Sequence, residues 1–169
     1  METFTNSIPH FKLSLEHILK RHFGEFNPNL RNFRGRMSIY PARVDPSLKP
    51  GHLAGRCAKI GRETALLMVP FGYHLQEVES NQPGFDHTYL RAVIDWKELL
   101  VDLTLPQYFW WMRNGFVGGR DELRQIVRRH CLSGARLDPA LEDISPNRDP
   151  DEIFNTIWGG TSVPRSEAV

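Results

Sequence analysis

Residues 87–105 read HTYLRAVIDWKELLVDLTL, and this stretch decides the fold class that the sequence predicts. Apolar residues recur at every second position on either side of Asp95-Trp96-Lys97, which is typical of two strands joined by a turn. We therefore predict a β-hairpin with strands over residues 87–94 and 98–105. A further strand is predicted over 73–79, and helices over 11–23, 121–130 and 151–158. Strands clustered between helices predict an α+β fold with an antiparallel sheet.

The apolar residues of the hairpin restrict how its two strands pair. These apolar residues are Leu90, Ala92, Ile94, Leu99, Val101, Leu103 and Leu105. They share one face of the hairpin only if the numbers of each two paired residues add up to an odd value. The same parity places His87 and Asp102 together on the opposite face. A register sum of 189 sets them directly opposite, and a sum of 191 sets them diagonally. Both registers bring an imidazole and a carboxylate within hydrogen-bonding reach.

A cysteine precedes the hairpin at the predicted start of another helix, from about Gly55 to Met68. The first turn of a helix carries a partial positive charge and free backbone N–H groups, which favour a thiolate and can bind an oxyanion. Cys57 lies in that turn. It also lies on the apolar face of the helix, so a small buried core residue is the alternative interpretation.

Cys57, His87 and Asp102 supply a thiol, an imidazole and a carboxylate in that order along the chain. A cysteine nucleophile needs a base to accept its proton and an acid to orient the base, so the set predicts a catalytic triad. The alternative is a His and an Asp that face solvent on an amphipathic hairpin.

From about Gly51 to Gln107, a third of the chain, the sequence resembles the papain-like/transglutaminase-like superfamily of Cys-His-Asp enzymes. The resemblance is carried by two segments, residues 86–94 (DHTYLRAVI) and residues 100–108 (LVDLTLPQY). A helix-starting cysteine followed by a strand His and a neighbouring-strand Asp is the family order. The fifteen-residue step from His87 to Asp102 is typical of these enzymes.

The resemblance implies a papain-like fold in which the nucleophile helix packs on an antiparallel sheet. It implies that Cys57 is the nucleophile, that His87 is the general base and acid, and that Asp102 orients His87. The expected reaction is attack on an amide or acyl carbonyl of a protein or peptide substrate through a thioester. A thiol protease or a protein glutamine deamidase of effector or toxin type is the expected activity. The alternatives are an amine acyltransferase or transglutaminase, and a non-catalytic interaction domain on the same scaffold.

The remainder of the site is less well marked in the sequence. Many relatives have a Trp after the cysteine or a Gln shortly before it, whereas Ala58 follows Cys57 here and no such Gln is present. Four residues are candidates for oxyanion or substrate contacts: His52, Gln107, Trp110 and Trp111. Gln107 also suits a structural cap on the strand end, and the two tryptophans suit a core position or a substrate-facing lip.

The composition bounds these expectations. A chain of 169 residues predicts a single domain, with a catalytic core over about 50–112 and a flexible tail from about 160. Two cysteines, Cys57 and Cys131, do not make a disulfide framework. No metal-ligand spacing or cofactor motif is present. The net charge of +1 argues neither for nor against nucleic acid, but the arginines of residues 120–129 are interleaved with acids and suit a solvated helix face, so no nucleic-acid partner is expected. The absence of a signal-like or membrane-spanning segment predicts a cytoplasmic protein, or one exported without a Sec signal.

Overall fold

A computed structural model of the chain describes residues 7–22, 57–80, 87–105, 108–109 and 115–160. The described elements, in chain order, are α1 (Ile8–His22), α2 (Cys57–Met68), β1 (Gln76–Glu79), β2 (Thr88–Ile94), β3 (Lys97–Asp102), β4 (Phe116–Gly118), α3 (Arg120–Leu132), α4 (Pro139–Ile144) and α5 (Pro150–Trp158). Helix and strand are mixed as in an α+β fold. The predicted flexible tail, apart from its first residue, lies outside the described residues.

The four described strands form one antiparallel sheet in the order β1-β2-β3-β4. Leu90 pairs with Val101, so the parity read from the apolar pattern is confirmed and the register sum is 191. The turn is one residue shorter than predicted. Asp95 and Trp96 alone form it, both with positive φ, and β3 begins at Lys97. Two left-handed residues match the twist of the flanking strands in a two-residue hairpin turn.

Each face of the sheet is covered by helices, which produces two hydrophobic cores. One core joins α1 and α2 to the face that carries Leu90 and Val101. The other joins α3, α4 and α5 to the face that carries Tyr89 and Leu100. Helix α2 contacts β1 and β2. The predicted packing of the Cys57 helix on an antiparallel sheet is therefore present.

The C-terminal helix α5 is a core element despite its short length. The Asp149 side chain caps its first turn by accepting hydrogen bonds from the N–H groups of Asp151 and Glu152, and Pro150 suits the first helical position. Four apolar residues on its inner face are fully buried: Ile153, Phe154, Ile157 and Trp158. The spacing of these residues matches one stripe of a helix, so the stripe holds α5 against the sheet.

Two elements were not expected from the sequence, and both are short. Strand β4 has three residues between glycines, too few for alternation to show, and it is defined by its pairing with β3. Helix α4 has six residues and begins at Pro139 with Asp138 as its cap. Short elements of this kind are stabilised by tertiary contacts rather than by local propensity.

Gly115 fixes the approach of β4 to the end of β3, and we expect Gly115→Ala to destabilise the protein strongly. Its φ is +70°, and a Cβ atom there would lie 2.5 Å from the carbonyl oxygen of Asp102 and 2.7 Å from the Cα atom of Leu103. Both contacts are with backbone, which cannot yield without moving β3. We expect a loss of more than about 2 kcal/mol in the free energy of unfolding, measured by urea denaturation.

Gly134→Ala is the matched control, because Gly134 also has a positive φ, +74°, but no atom lies within 4 Å of its added Cβ. It should cost only the left-handed backbone strain, about 1 kcal/mol. Equal losses in the free energy of unfolding in the two variants would show that the close approach of Gly115 to the Asp102 backbone does not contribute to stability.

Among the described helices, none combines the length and apolar character that a bilayer crossing requires.

Candidate active site

The candidate site lies at the end of the sheet where β2 begins and β3 ends. Cys57 is the first residue of α2 and comes from the helical layer on one face. His87 directly precedes β2, and its carbonyl oxygen accepts a hydrogen bond of 2.9 Å from the N–H of Ser80. Asp102 is the last residue of β3. Three side chains far apart in sequence are thus brought together by elements that pack for apolar reasons.

His87 and Asp102 form a buried hydrogen-bonded pair. The Nε2 atom of His87 lies 2.8 Å from Oδ2 of Asp102, and both side chains are completely shielded from solvent. The register sum of 191 places the two residues diagonally, as one of the two predicted registers requires. The alternative of a solvent-facing His and Asp is wrong, because α3 and α5 cover this face of the sheet.

The Asp102 carboxylate is held by donors on both oxygens. The Oδ1 atom accepts from the backbone N–H and the hydroxyl of Thr104, at 3.0 and 3.2 Å. The Oδ2 atom accepts from the indole Nε1–H of Trp158 at 2.7 Å, in addition to its contact with His87. Burial alone would raise the pKa of Asp102, but the charge and hydrogen bond of His87 and the donors of Trp158 and Thr104 hold it below its usual value. Asp102 is therefore ionised at neutral pH.

The carboxylate in turn controls the protonation of the imidazole. Burial alone would lower the pKa of His87, but the charge and hydrogen bond of Asp102, with smaller contributions from Cys57, raise it to about 9. His87 is thus an imidazolium at neutral pH. An imidazolium of this kind is the partner that stabilises a neighbouring thiolate.

Cys57 lies beside His87, and its surroundings lower the pKa of its thiol. Burial would raise its pKa, but the hydrogen bond with His87, the backbone N–H groups of Thr88 and Ala58, and the charge of His87 bring the pKa below its ordinary value. Because Nε2 of His87 is bonded to Asp102, the thiol can interact with the ring only through Nδ1, which also lies 3.4 Å from the hydroxyl of Tyr108. The chemistry available is a thiolate–imidazolium pair oriented by a carboxylate.

The second cysteine provides an internal contrast. Cys131 is buried to the same extent as Cys57, 4% exposed, yet burial raises its pKa, and among the described residues only the charge of Arg148, not an imidazole, opposes that rise. Neither cysteine is in a disulfide. The difference between the two thiols therefore comes from the surroundings of Cys57, not from burial. A role as a small core residue would not account for the polar groups of His87, Thr88 and Ala58 that lower the pKa of Cys57.

The secondary site candidates from the sequence, His52, Gln107, Trp110 and Trp111, all lie outside the described residues. Three residues that the sequence did not assign to the site are present in it. Thr104 donates hydrogen bonds to the Asp102 carboxylate, and the Asp-x-Thr spacing, which suits an Asx turn, is the sequence feature that could have indicated this contact. Tyr108 places its hydroxyl 3.4 Å from Nδ1 of His87. Trp158 had no sequence signal beyond the apolar stripe of α5.

Within the described ranges, no group of three or more His, Cys, Asp or Glu residues could hold a metal ion. The chain matches no family model, and no match was found among curated proteins or solved structures. The geometry around Cys57 is accordingly the basis for any statement about function.

Proposed function

We propose that this protein is a cysteine-nucleophile enzyme that attacks amide or acyl carbonyls through a thioester intermediate. The observation that carries the proposal is the buried hydrogen-bonded chain from Cys57 through His87 to Asp102. Buried ionisable groups are unfavourable unless they are paired, and strongly shifted pKa values of this kind cluster at functional sites. A thiol at the start of a helix, an imidazole just before one strand and a carboxylate at the end of the neighbouring strand also support a papain-like or transglutaminase-like arrangement.

In the proposed mechanism, the thiolate of Cys57 attacks the substrate carbonyl carbon and forms a tetrahedral oxyanion. In this proposal the oxyanion is bound by backbone N–H groups of the first turn of α2, which have no partner within the helix. His87 then donates its proton to the leaving amine, and the thioester forms as the C–N bond breaks. His87, now neutral, removes a proton from water as that water attacks the thioester carbonyl. The C–S bond then breaks, which releases the carboxylic acid and restores the Cys57 thiolate beside protonated His87. Asp102 keeps the imidazole oriented throughout.

The resemblance over residues 51–107 adds a substrate class, a protein or peptide. It favours proteolysis or glutamine deamidation, of effector or toxin type, as the outcome. These two reactions share the mechanism above, and they differ in whether the released amine is a peptide chain or ammonia. Transfer of the acyl group to an amine instead of water would make the protein an acyltransferase or transglutaminase.

The first test is the reactivity of Cys57 toward iodoacetamide at about pH 6, where a free thiol of pKa about 8.5 is almost wholly protonated. We expect Cys57 to be alkylated about 100-fold faster than Cys131, because only Cys57 has an imidazolium partner. Peptide mass spectrometry measures both rates in one sample. His87→Ala should remove the difference, whereas Cys131→Ala should leave the rate at Cys57 unchanged. Slow labelling of both thiols at similar rates would contradict the proposal.

The second test identifies the reaction. The protein is incubated with candidate protein substrates, with Cys57→Ala as the inactive control, and intact masses are recorded. Fragments indicate proteolysis, replacement of an amide NH₂ by OH indicates deamidation, and addition of an amine with loss of ammonia indicates transfer. A reactive Cys57 combined with no product from any amide or ester substrate would favour a binding role instead.

A further inference from the structure

The last residue of α5, Trp158, contacts the proposed catalytic acid. Its indole Nε1–H donates a hydrogen bond of 2.7 Å to Oδ2 of Asp102, the same oxygen that binds Nε2 of His87. The Trp158 side chain is completely buried. Trp158 lies 56 positions beyond Asp102, in a helix that packs on the sheet. It thus binds the same oxygen by which Asp102 holds His87.

The indole is itself fixed from several directions. The carbonyl oxygen of Trp158 accepts hydrogen bonds from the hydroxyl of Tyr89, at 2.8 Å, and from the guanidinium of Arg120. Its ring stacks on Phe109, with centroids 6.1 Å apart, and packs against Phe154. These contacts join α5 to β2 and to the start of α3. The indole N–H therefore has little freedom to leave the carboxylate.

A carboxylate needs such support to orient an imidazole. Rotation about the bond to its carboxyl carbon exchanges its two oxygens and breaks a directed hydrogen bond. Thr104 holds Oδ1 of Asp102 from one side, and Trp158 holds Oδ2 from the other. An indole N–H is a donor only, so it cannot change its hydrogen-bonding sense when His87 gains or loses a proton.

We propose that Trp158 is a positioning residue of the active site, whose indole N–H locks the Asp102 carboxylate in the orientation that holds His87. The proposal rests on the proposed function, since it assigns a role within the same triad. It extends the catalytic machinery beyond the predicted core of residues 50–112 to the C-terminal helix α5. Docking of α5 on the sheet then becomes a condition for an activated Cys57.

The test is Trp158→Phe, which keeps an aromatic ring in the core and removes the N–H donor. In this variant we expect iodoacetamide to alkylate Cys57 about tenfold more slowly at about pH 6. A tenfold change corresponds to the low end of what a hydrogen bond to a charged group contributes. The midpoint of the rate against pH should also move to higher pH, because a less well oriented His87 stabilises the thiolate less. Trp96→Phe, at a side chain 97% exposed on the β2–β3 turn, is the matched control and should leave both values unchanged.

A second measurement leaves Trp158 in place and is needed if Trp158→Phe does not fold. The indole N–H resonance of Trp158 is identified in a proton–nitrogen NMR spectrum by substituting the other three tryptophans with Phe one at a time. We expect this resonance to be shifted downfield and to exchange slowly with solvent. In Asp102→Asn it should move upfield, because the charged acceptor is lost.

The outcomes separate the two proposals. If the wild-type Cys57 shows no selective reactivity, the proposed function fails whatever Trp158 does. If Cys57 is selectively reactive but its pH profile is the same in Trp158→Phe, the positioning role is overturned. An indole resonance that does not respond to Asp102→Asn overturns it as well.

Discussion

Asp102→Asn should leave a folded protein in which the alkylation rate of Cys57 at about pH 6 falls about 100-fold, because the thiol returns toward its free pKa. The hydrogen bonds that the described residues make to the Asp102 carboxylate all come from donors: His87, Trp158, and the N–H and hydroxyl of Thr104. The amide of Asn must direct its own NH₂ at one of these donors. If the NH₂ group takes the place of Oδ2, Nε2 of His87 must accept a hydrogen bond from it. Neutral His87 then carries its proton on Nδ1, and Nδ1 can no longer accept the proton of the thiol.

The same substitution should lower the free energy of unfolding by about 3 kcal/mol, since it leaves a buried donor unsatisfied and removes a buried charge partner. Urea denaturation and the iodoacetamide rate, measured on one preparation, separate stability from reactivity. Asp95→Asn is the control, because Asp95 is exposed on the hairpin turn and Asn tolerates its positive φ. A fully reactive Cys57 in Asp102→Asn would show that the carboxylate does not support the base.

Cys57→Ala should make stability fall as pH rises above the ordinary His value of 6.5. The pKa of His87 is raised in the folded protein, so its stabilising contribution is complete below 6.5 and is lost as pH rises through the folded pKa. The full shift from 6.5 to about 9 corresponds to about 3 kcal/mol, which is an upper value because the contribution of Cys57 is absent from the variant. Urea denaturation at a series of pH values measures the loss.

The wild type should show a flatter profile over the same range, because the lowered pKa of Cys57 has the opposite linkage. A thiol with a lowered pKa adds stability as pH rises toward its unfolded value, which offsets the loss from His87. The double variant Cys57→Ala/His87→Gln is the control, since Gln still donates to Asp102 but does not titrate. If Cys57→Ala and the double variant have parallel profiles, His87 is not charged in the folded protein.

The hairpin shows how much could be predicted from the sequence alone. Alternation of apolar residues determines which side chains share a face, because a shift of one residue would move every apolar side chain to the wrong side. That rule places His87 and Asp102 on one face, and the observed register confirms it. It left two registers open. The two-residue turn at Asp95 and Trp96 selects between them, and no Asn-Gly or Gly signal marks that turn in the sequence.

The burial of His87 and Asp102 by helices could not be predicted from the apolar pattern. A polar-looking strand face with a His and an Asp suggests solvent, yet α3 and α5 bury it. Helix α5 could be predicted as a helix, but nothing in its own residues says which acceptor the indole of Trp158 meets. Strand β4 is defined by its partner β3, so local preference could not reveal it.

The sequence by itself determined the α+β class, a helix from about Gly55 to Met68 with Cys57 in its first turn, and the shared face of His87 and Asp102. These follow from periodicity and from helix-terminus chemistry, which act over a few residues. Only the tertiary structure decided that the pair is buried, that the thiol meets His87, and that Trp158 holds Asp102 from a separate layer. The reason is physical. The pKa values of the triad depend on burial and on donors brought from distant parts of the chain, and such contacts exist only after the layers have packed.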